Sequence, residues 1–342
     1  MVRVVRASQA ELETAVEALR DGELVAFPTE TVYGLGANAS DPAAVQKVFT
    51  LKGRPPNHPV IVHIDDQKYL RRWAREVTPE AQKLAEAFWP GPLTLVLPRA
   101  EGVHDVVTGG QDTVAVRIPS HPMAQQLLTA FGGGIAAPSA NRYGRLSATR
   151  AEHVRDEFGD DVKVVLDGGE SQVGLESTIV SCEPGNLRLL RPGSISLAAL
   201  RKVAGDVQVG PDGNSPRVPG STRAHYAPQT PVTLVSGGEL DAMAETLSEG
   251  GQRIAVLAQR LPLRTYPTVT WINAGKRVDA YGHDLYANLR ALDKAGCIRI
   301  LVQEVPGEER WDAVRDRLVR ASARDDMAGD DAVTSYALGV LP

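Results

Sequence analysis

The chain has 342 residues and only two cysteines, Cys182 and Cys297, far apart and outside any CxxC pair. That excludes a disulfide framework and a cysteine-built zinc site, and it fits a reducing, cytoplasmic setting. No apolar run approaches the length needed to cross a bilayer. The N-terminus carries no long apolar h-region, so no secretory signal is expected. The common cofactor and nucleophile signatures are also missing. There is no Walker A sequence, no GxGxxG between a strand and a helix, no HExxH and no GxSxG. Gly132-Gly133-Gly134 is glycine-rich but precedes a strand, so it reads as a flexible turn rather than a phosphate cradle. A surplus of positive charge is lacking as well. The net charge of −5 argues against broad nucleic-acid binding, although a local basic cleft stays open.

What is present is the composition of a globular protein, 43% apolar and 23% charged, at a length that suits two domains. The stretch Pro28-Thr29-Glu30-Thr31-Val32-Tyr33-Gly34-Leu35-Gly36 follows a buried strand, Leu24–Phe27. Proline has no N–H to continue a central strand, so the chain should leave the sheet at Pro28. It then presents hydroxyls, a carboxylate and a phenol on a loop expected to turn at Gly34 and Gly36. Polar groups at a strand end are a common way to build a ligand site, and a plain surface turn is the competing reading.

Elsewhere the pattern alternates between strands and helices. Val2, Val4 and Val5 suggest a first strand. Ser8 and Glu11 form a capping box, and Asp41-Pro42 and Thr78-Pro79 open further helices. Ser120 is expected to cap a short helix, and Thr149 with Glu152 repeats the capping-box spacing. Strands are expected at 60–64, 93–97, 114–118, 135–137, 162–166, 178–180 and 187–190. The fold class is α/β: a mixed twisted sheet with helices on its faces over residues 1–205, then a smaller Rossmann-like parallel sheet over 230–342. Between them, 206–229 is rich in Gly, Pro, Asp, Asn and Ser and shows no regular period, as in a linker or an ordered loop. The residues after Arg324 read as a poorly ordered tail.

Several polar residues sit at strand ends. Lys52 and Arg54 flank Gly53. On an extended segment both would face one cleft, where they suit phosphates; a solvated basic turn is the alternative. His63 lies in an apolar strand and reads as a packed histidine or a ligand contact. Arg117 is flanked by apolar neighbours and needs an anionic partner, either a structural or a substrate carboxylate. Ser139 and Asn141 straddle Ala140 just past a strand, where they hold a ligand or shape a turn. Glu176-Ser177-Thr178 and Arg191-Pro192-Gly193 repeat the theme.

Taken together these motifs resemble the YrdC-type threonylcarbamoyl-AMP synthases. The family's Lys-x-Arg and Ser-x-Asn pairs fall on Lys52, Arg54, Ser139 and Asn141. The long form of the family adds a His-Tyr-Ala-Pro element, here His225-Tyr226-Ala227-Pro228, and a Rossmann-like domain. His58 stands where asparagine is common. The resemblance implies that L-threonine, bicarbonate and ATP give threonylcarbamoyl-AMP and pyrophosphate, and that a downstream complex passes the threonylcarbamoyl group to an adenosine beside the anticodon of tRNA. Whether this chain touches tRNA itself stays open. The resemblance places threonine at Thr31, His63, Arg117 and Ser177. It places ATP at Lys52, Arg54, His58, Thr113, Ser139, Asn141, Arg191 and Tyr226, with Lys52, Arg54, Ser139 and Asn141 as the catalytic set. Magnesium is expected on the ATP phosphates without a protein cage. Two rivals are a carbamoyl-transfer module and a non-catalytic RNA-binding protein on the same fold. The linker is expected to fold over the ATP site as a lid, with Tyr226 on the nucleotide and the second domain as its anchor.

Overall fold

The computed structural model describes residues 8–323. The strand expected at Val2–Val5 and the tail after Arg324 lie outside them. In chain order the helices are α1 (Gln9–Arg20), α2 (Pro42–Lys52), α3 (Pro79–Phe88), α4 (Asp105–Thr108), α5 (Pro122–Phe131), α6 (Ala151–Phe158), α7 (Leu197–Ala204), α8 (Leu240–Glu249), α9 (Val278–Asp293) and α10 (Asp312–Ser322). The strands of the first sheet are β1 (Val25–Phe27), β2 (Gly34–Asn38), β3 (Ile61–His63), β4 (Leu93–Pro98), β5 (Thr113–Arg117), β6 (Ile135–Ala136), β7 (Val164–Val165), β8 (Thr178–Glu183), β9 (Asn186–Arg191) and β10 (Gln208–Val209). They form one mixed sheet in the order β10-β9-β8-β4-β5-β3-β6-β2-β1-β7.

The helix starts follow local chemistry. Ser8 and Glu11 close the capping box on α1. Asp41 and Thr78 cap α2 and α3, each with proline in the first turn. Two expectations fail. The cap of α5 is His121, whose Nδ1 accepts from the Met123 amide, not Ser120. Helix α6 starts after Arg150 with no side-chain cap bond, so Thr149 and Glu152 form no capping box. Thr149 instead takes part in hydrogen bonds with His153.

Gly34 and Gly36 do not turn the chain; they open β2, which pairs antiparallel with β1. Glycine is required there by packing. A Cβ on Gly36 would lie 2.7 Å from the Ile135 side chain and 2.8 Å from the Phe27 ring. The stretch expected as an irregular linker begins with β10, which pairs parallel with β9 and extends the first sheet. Helix α7, ahead of it, packs on the same core through Leu200.

The second sheet is all parallel, with β11 (Val232–Val235), β12 (Ile254–Ala258), β13 (Val269–Asn273) and β14 (Arg299–Gln303) in the order β11-β14-β12-β13. Alternate residues of a strand face opposite sides. Ile254, Val256 and Ala258 accordingly pack with α8, and Ala255 and Leu257 pack with α9 and α10. The second of these cores also takes in Val32, Leu146 and Leu175 from the first sheet's loops, so the two units share an apolar seam. Among the described residues no helix is long and apolar enough to cross a membrane.

Candidate active site

The loop after β1, the end of β3, the end of β5, the loop after β6 and the approach to β8 converge on one cavity of about 40 Å³. Its wall includes Thr31, Arg54, His63, Arg117, Ser139, Ser177, Arg191 and Tyr226, eight of the residues singled out in the sequence. Pro219, Gly220, His225 and Tyr226 from the connecting segment complete it.

Arg117 ends β5 and is buried. Its Nη1 donates to Thr31 Oγ1 at 2.8 Å, and its Nη2 lies 2.6 Å from Glu30 Oε1 in an ion pair. The partner that the sequence demanded is thus present as Glu30. Thr29 Oγ1 fixes the turn by donating to the Val32 carbonyl and accepting from the Thr31 and Val32 amides. His63 stands beside Arg117 across the β3–β5 pair. Burial, with the Arg117 charge second, depresses its pKa to about 3, so the ring is neutral near pH 7.

The Lys52 and Arg54 side chains are both buried but part company. Lys52 is the last residue of α2, and Gly53 is its left-handed C-cap at φ +64°, so the segment is not extended as expected. The Lys52 ammonium donates to the Ser139 carbonyl at 2.7 Å and to the Asn141 carbonyl. It therefore holds the Ser-x-Asn loop from behind and does not line the cavity. Burial, then the nearby Arg54 charge, pushes its pKa well below the usual lysine value. Arg54 does line the cavity, with Nη2 donating to the Pro59 carbonyl at 2.9 Å. Burial lowers its pKa to about 10, so it stays charged at neutral pH.

Arg191, at the end of β9, donates from Nε and Nη2 to the Ser177 carbonyl and from Nη1 to the Pro219 carbonyl at 2.9 Å. Asn141 Nδ2 binds the Arg142 and Arg145 carbonyls. His58 lies off the cavity wall, its Nδ1 3.4 Å from the Tyr143 hydroxyl. Thr113 begins β5, at the opposite end from Arg117, and does not line the cavity.

Arg54 Nε, His63 Nδ1, Arg117 Nη2, Asn141 Oδ1, His225 Nδ1 and Tyr226 Oη are buried without a hydrogen-bond partner in the protein. Unmet polar groups inside a protein are costly, and a cluster of them is the mark of a site shaped for a polar ligand. Three further contributors are not among the residues that the sequence singles out. Glu30 is one of several polar groups in the Pro28–Gly36 stretch. Ser147, whose hydroxyl donates to Glu176, lies in a stretch without a motif. Arg317 reaches Glu176 from the second sheet's side.

A twisted α/β sheet whose strand ends and loops gather three arginines, hydroxyls and a neutral histidine around one small cavity defines a protein suited to small anionic substrates. A sequence model of the Sua5/YciO/YrdC family, described as Telomere recombination, matches residues 17–193, and a second, described as Threonylcarbamoyl-AMP synthase, C-terminal domain, matches 195–323. The chain belongs to this family, in its two-domain form. It is 39% identical to the threonylcarbamoyl-AMP synthase of Pyrococcus abyssi, over 93% of this chain and 95% of that one. It is 36% identical to the Bacillus subtilis protein of the same name, over 91% and 93%. The crystal structure of P. abyssi Sua5 complexed with L-threonine superimposes with a TM-score of 0.87 at 38% identity, covering 93% of this chain and 96% of that chain.

Proposed function

We propose that this cavity joins L-threonine, bicarbonate and ATP into threonylcarbamoyl-AMP and pyrophosphate, and that the product serves threonylcarbamoyl modification of the adenosine beside the anticodon in tRNA. The observation that carries the reading is the meeting of Arg54, Arg117 and Arg191 with Thr31, His63, Ser139 and Ser177 around one cavity, in a chain alike over nearly its whole length to proteins of that name.

The reaction forms two bonds. The threonine nitrogen bonds to the bicarbonate carbon, with loss of water, to give a carbamate. A carbamate oxygen then bonds to the α-phosphorus of ATP as the bond to the β-phosphate oxygen breaks, and pyrophosphate leaves. No side chain need become a covalent carrier, so the chain's work is positioning and charge neutralisation. In this reading Arg117, held by Glu30, receives the threonine carboxylate, with neutral His63 and Thr31 beside it. Arg54 and Arg191 face the phosphates, and the loop braced by Lys52 presents Ser139 toward the reacting groups. A carbamate decays in water, which makes a closed cavity an asset.

Magnesium belongs to the same proposal. Arg117 engages Glu30, and Arg317 engages Glu176, the carboxylate that lines the cavity. That donor set suits an ion carried on the phosphates, which would offset their charge. A cytoplasmic location accords with two free cysteines. A downstream transferase complex belongs to the same proposal, since the product is an activated acyl group that needs an acceptor.

The test is pyrophosphate release by the full chain. Release should require threonine and bicarbonate together with ATP. Release without threonine, or none with all three, would overturn the reading. The two rival readings predict no threonine-dependent release.

A further inference from the structure

The second sheet's last helix enters the first sheet's cavity wall. Glu176 precedes β8 and lines the cavity, yet its carboxylate is held largely from outside the first sheet. Arg317 of α10 donates from Nε to Oε2 at 2.9 Å, and the Tyr286 hydroxyl of α9 lies 2.9 Å from the same oxygen. Arg317 Nη1 also donates to the Pro192 carbonyl at 2.9 Å, and its guanidinium stands 5.2 Å from the centre of the Tyr226 ring. One turn on, Arg320 donates to the Thr222 carbonyl, and its own carbonyl accepts from the His225 amide at 3.3 Å. Asp316 pairs with both arginines. The connecting segment is thus gripped by α10 on one side and by Arg191, through the Pro219 carbonyl, on the other.

The cavity beneath holds about 40 Å³, against roughly 300–1,000 Å³ for ordinary small-molecule sites. Room for a substrate the size of ATP requires part of the wall to move, and residues 219–226 are the part that the connecting segment contributes. We propose that α10 is the latch of that movement: Arg317 and Arg320 hold residues 219–226 shut over the cavity, and Arg317 is a positioning residue that fixes Glu176 and Tyr226 for the reaction. The second domain then does more than anchor a tether. It sets how firmly the site closes, through side chains that the first sheet does not possess. The part of this inference that concerns turnover rests on the proposed function; the part that concerns the latch does not.

The experiment is limited trypsin digestion of the full chain, with cleavage after the exposed Arg223 followed by fragment mass, beside kinetics of pyrophosphate release. Arg320→Gln releases Thr222 and leaves Glu176 paired, so the fold should survive. Cleavage after Arg223 should quicken by about tenfold or more, because proteolysis reports the open population. Its kcat should fall severalfold, with the threonine KM within about twofold, since the Arg320 side chain hydrogen-bonds Thr222 and Asp316 and no residue of the cavity wall. Arg317→Gln should show faster cleavage and little turnover, and Arg317→Lys should recover part of both by restoring a cation to Glu176. If Arg317→Gln does not fold, Arg320→Gln and Arg317→Lys decide. Cleavage at the wild-type rate in Arg320→Gln overturns the latch. So does a loss of turnover in Arg317→Lys as complete as in Arg317→Gln. Absence of pyrophosphate release by the wild type would sink the functional reading instead and leave the cleavage comparison intact.

Discussion

Arg117 Nη2 stands 2.6 Å from Glu30 Oε1, and both side chains are almost wholly buried. The ion pair engages Nη2 on one side, and Nη2 makes no hydrogen bond to any other group of the protein, so its second N–H is unused. A structural partner and a free donor on one guanidinium reconcile the two roles the sequence left open for it.

Removing Arg117 alone strands the Glu30 charge. Arg117→Ala should cost about 3–5 kcal/mol of stability, as for a broken buried pair. The double variant Arg117→Ala with Glu30→Gln removes both charges and should regain much of that stability. It should still fail to use threonine, while ATP affinity changes less. Thermal melting with threonine and ATP titrations separates the effects. Normal threonine use by the double variant would move Arg117 to a purely structural role.

Lys52 acts at one remove. Lys52→Met keeps the stem but leaves the Asn141 carbonyl without its donor and the Ser139 carbonyl with only the Asn141 amide. An unsatisfied buried group costs about 1–3 kcal/mol. We expect a less stable protein with a displaced Ser139 loop and a large loss of adenylate formation. Arg54→Ala should instead weaken ATP binding with a smaller change in stability. Full turnover in Lys52→Met, measured as pyrophosphate release, would contradict this.

Local chemistry made much of this architecture legible. Asp41-Pro42 and Thr78-Pro79 start helices because their caps are short-range, and 93–97 and 114–118 read as strands because apolar runs need no distant partner. Gly34 and Gly36 lie in a strand instead of the expected turn because glycine marks both turns and close packing. Only the Phe27 ring and Ile135, distant in sequence or across a hairpin, decide between them. Lys52 would face phosphates only on an extended segment, and the left-handed cap at Gly53 ends a helix there instead. Arg317 does leave a signal in the sequence. It lies on the same helical face as Val314, Leu318 and Ala321, all buried, and an arginine in an apolar stripe requires an anion. Which anion is a matter of tertiary structure, and the answer, Glu176, is 141 positions away.

His63 supplies a pH test. Its pKa is about 3 in the folded chain because burial, then Arg117, opposes protonation, against about 6.5 when unfolded. Between those values the unfolded chain binds a proton that the folded chain refuses, so stability is full above about pH 6.5 and falls as pH drops toward 3. The slope from this one group is at most about 1.4 kcal/mol per pH unit. His63→Gln should flatten the dependence of denaturation midpoint on pH between 7 and 4. Identical slopes in wild type and variant would mean that His63 titrates normally.

Tyr226 is the one non-glycine residue at positive φ among the described residues, at +58°, and its hydroxyl packs against the Cα of Gly220. A Cβ on Gly220 would lie 2.0 Å from that hydroxyl and 3.0 Å from the ring carbon bearing it. Gly220 also has φ +77°, so Gly220→Ala carries backbone strain of about 1 kcal/mol in addition to the clash. The ring cannot retreat freely, because it is buried between His225, Tyr286 and Arg317. We therefore expect Gly220→Ala to displace Tyr226 and lower turnover by at least about tenfold, with stability reduced by about 1–3 kcal/mol. Tyr226→Phe alone should cost less than Tyr226→Ala, since the ring still excludes water. The combined Gly220→Ala and Tyr226→Phe chain is the decisive case. Deleting the hydroxyl removes the nearer of the two clashing atoms, so the second substitution should return part of the lost turnover and part of the lost stability. Purely additive losses in this double-mutant cycle would show that Gly220 serves only its own backbone and that the seal does not depend on where Tyr226 lies.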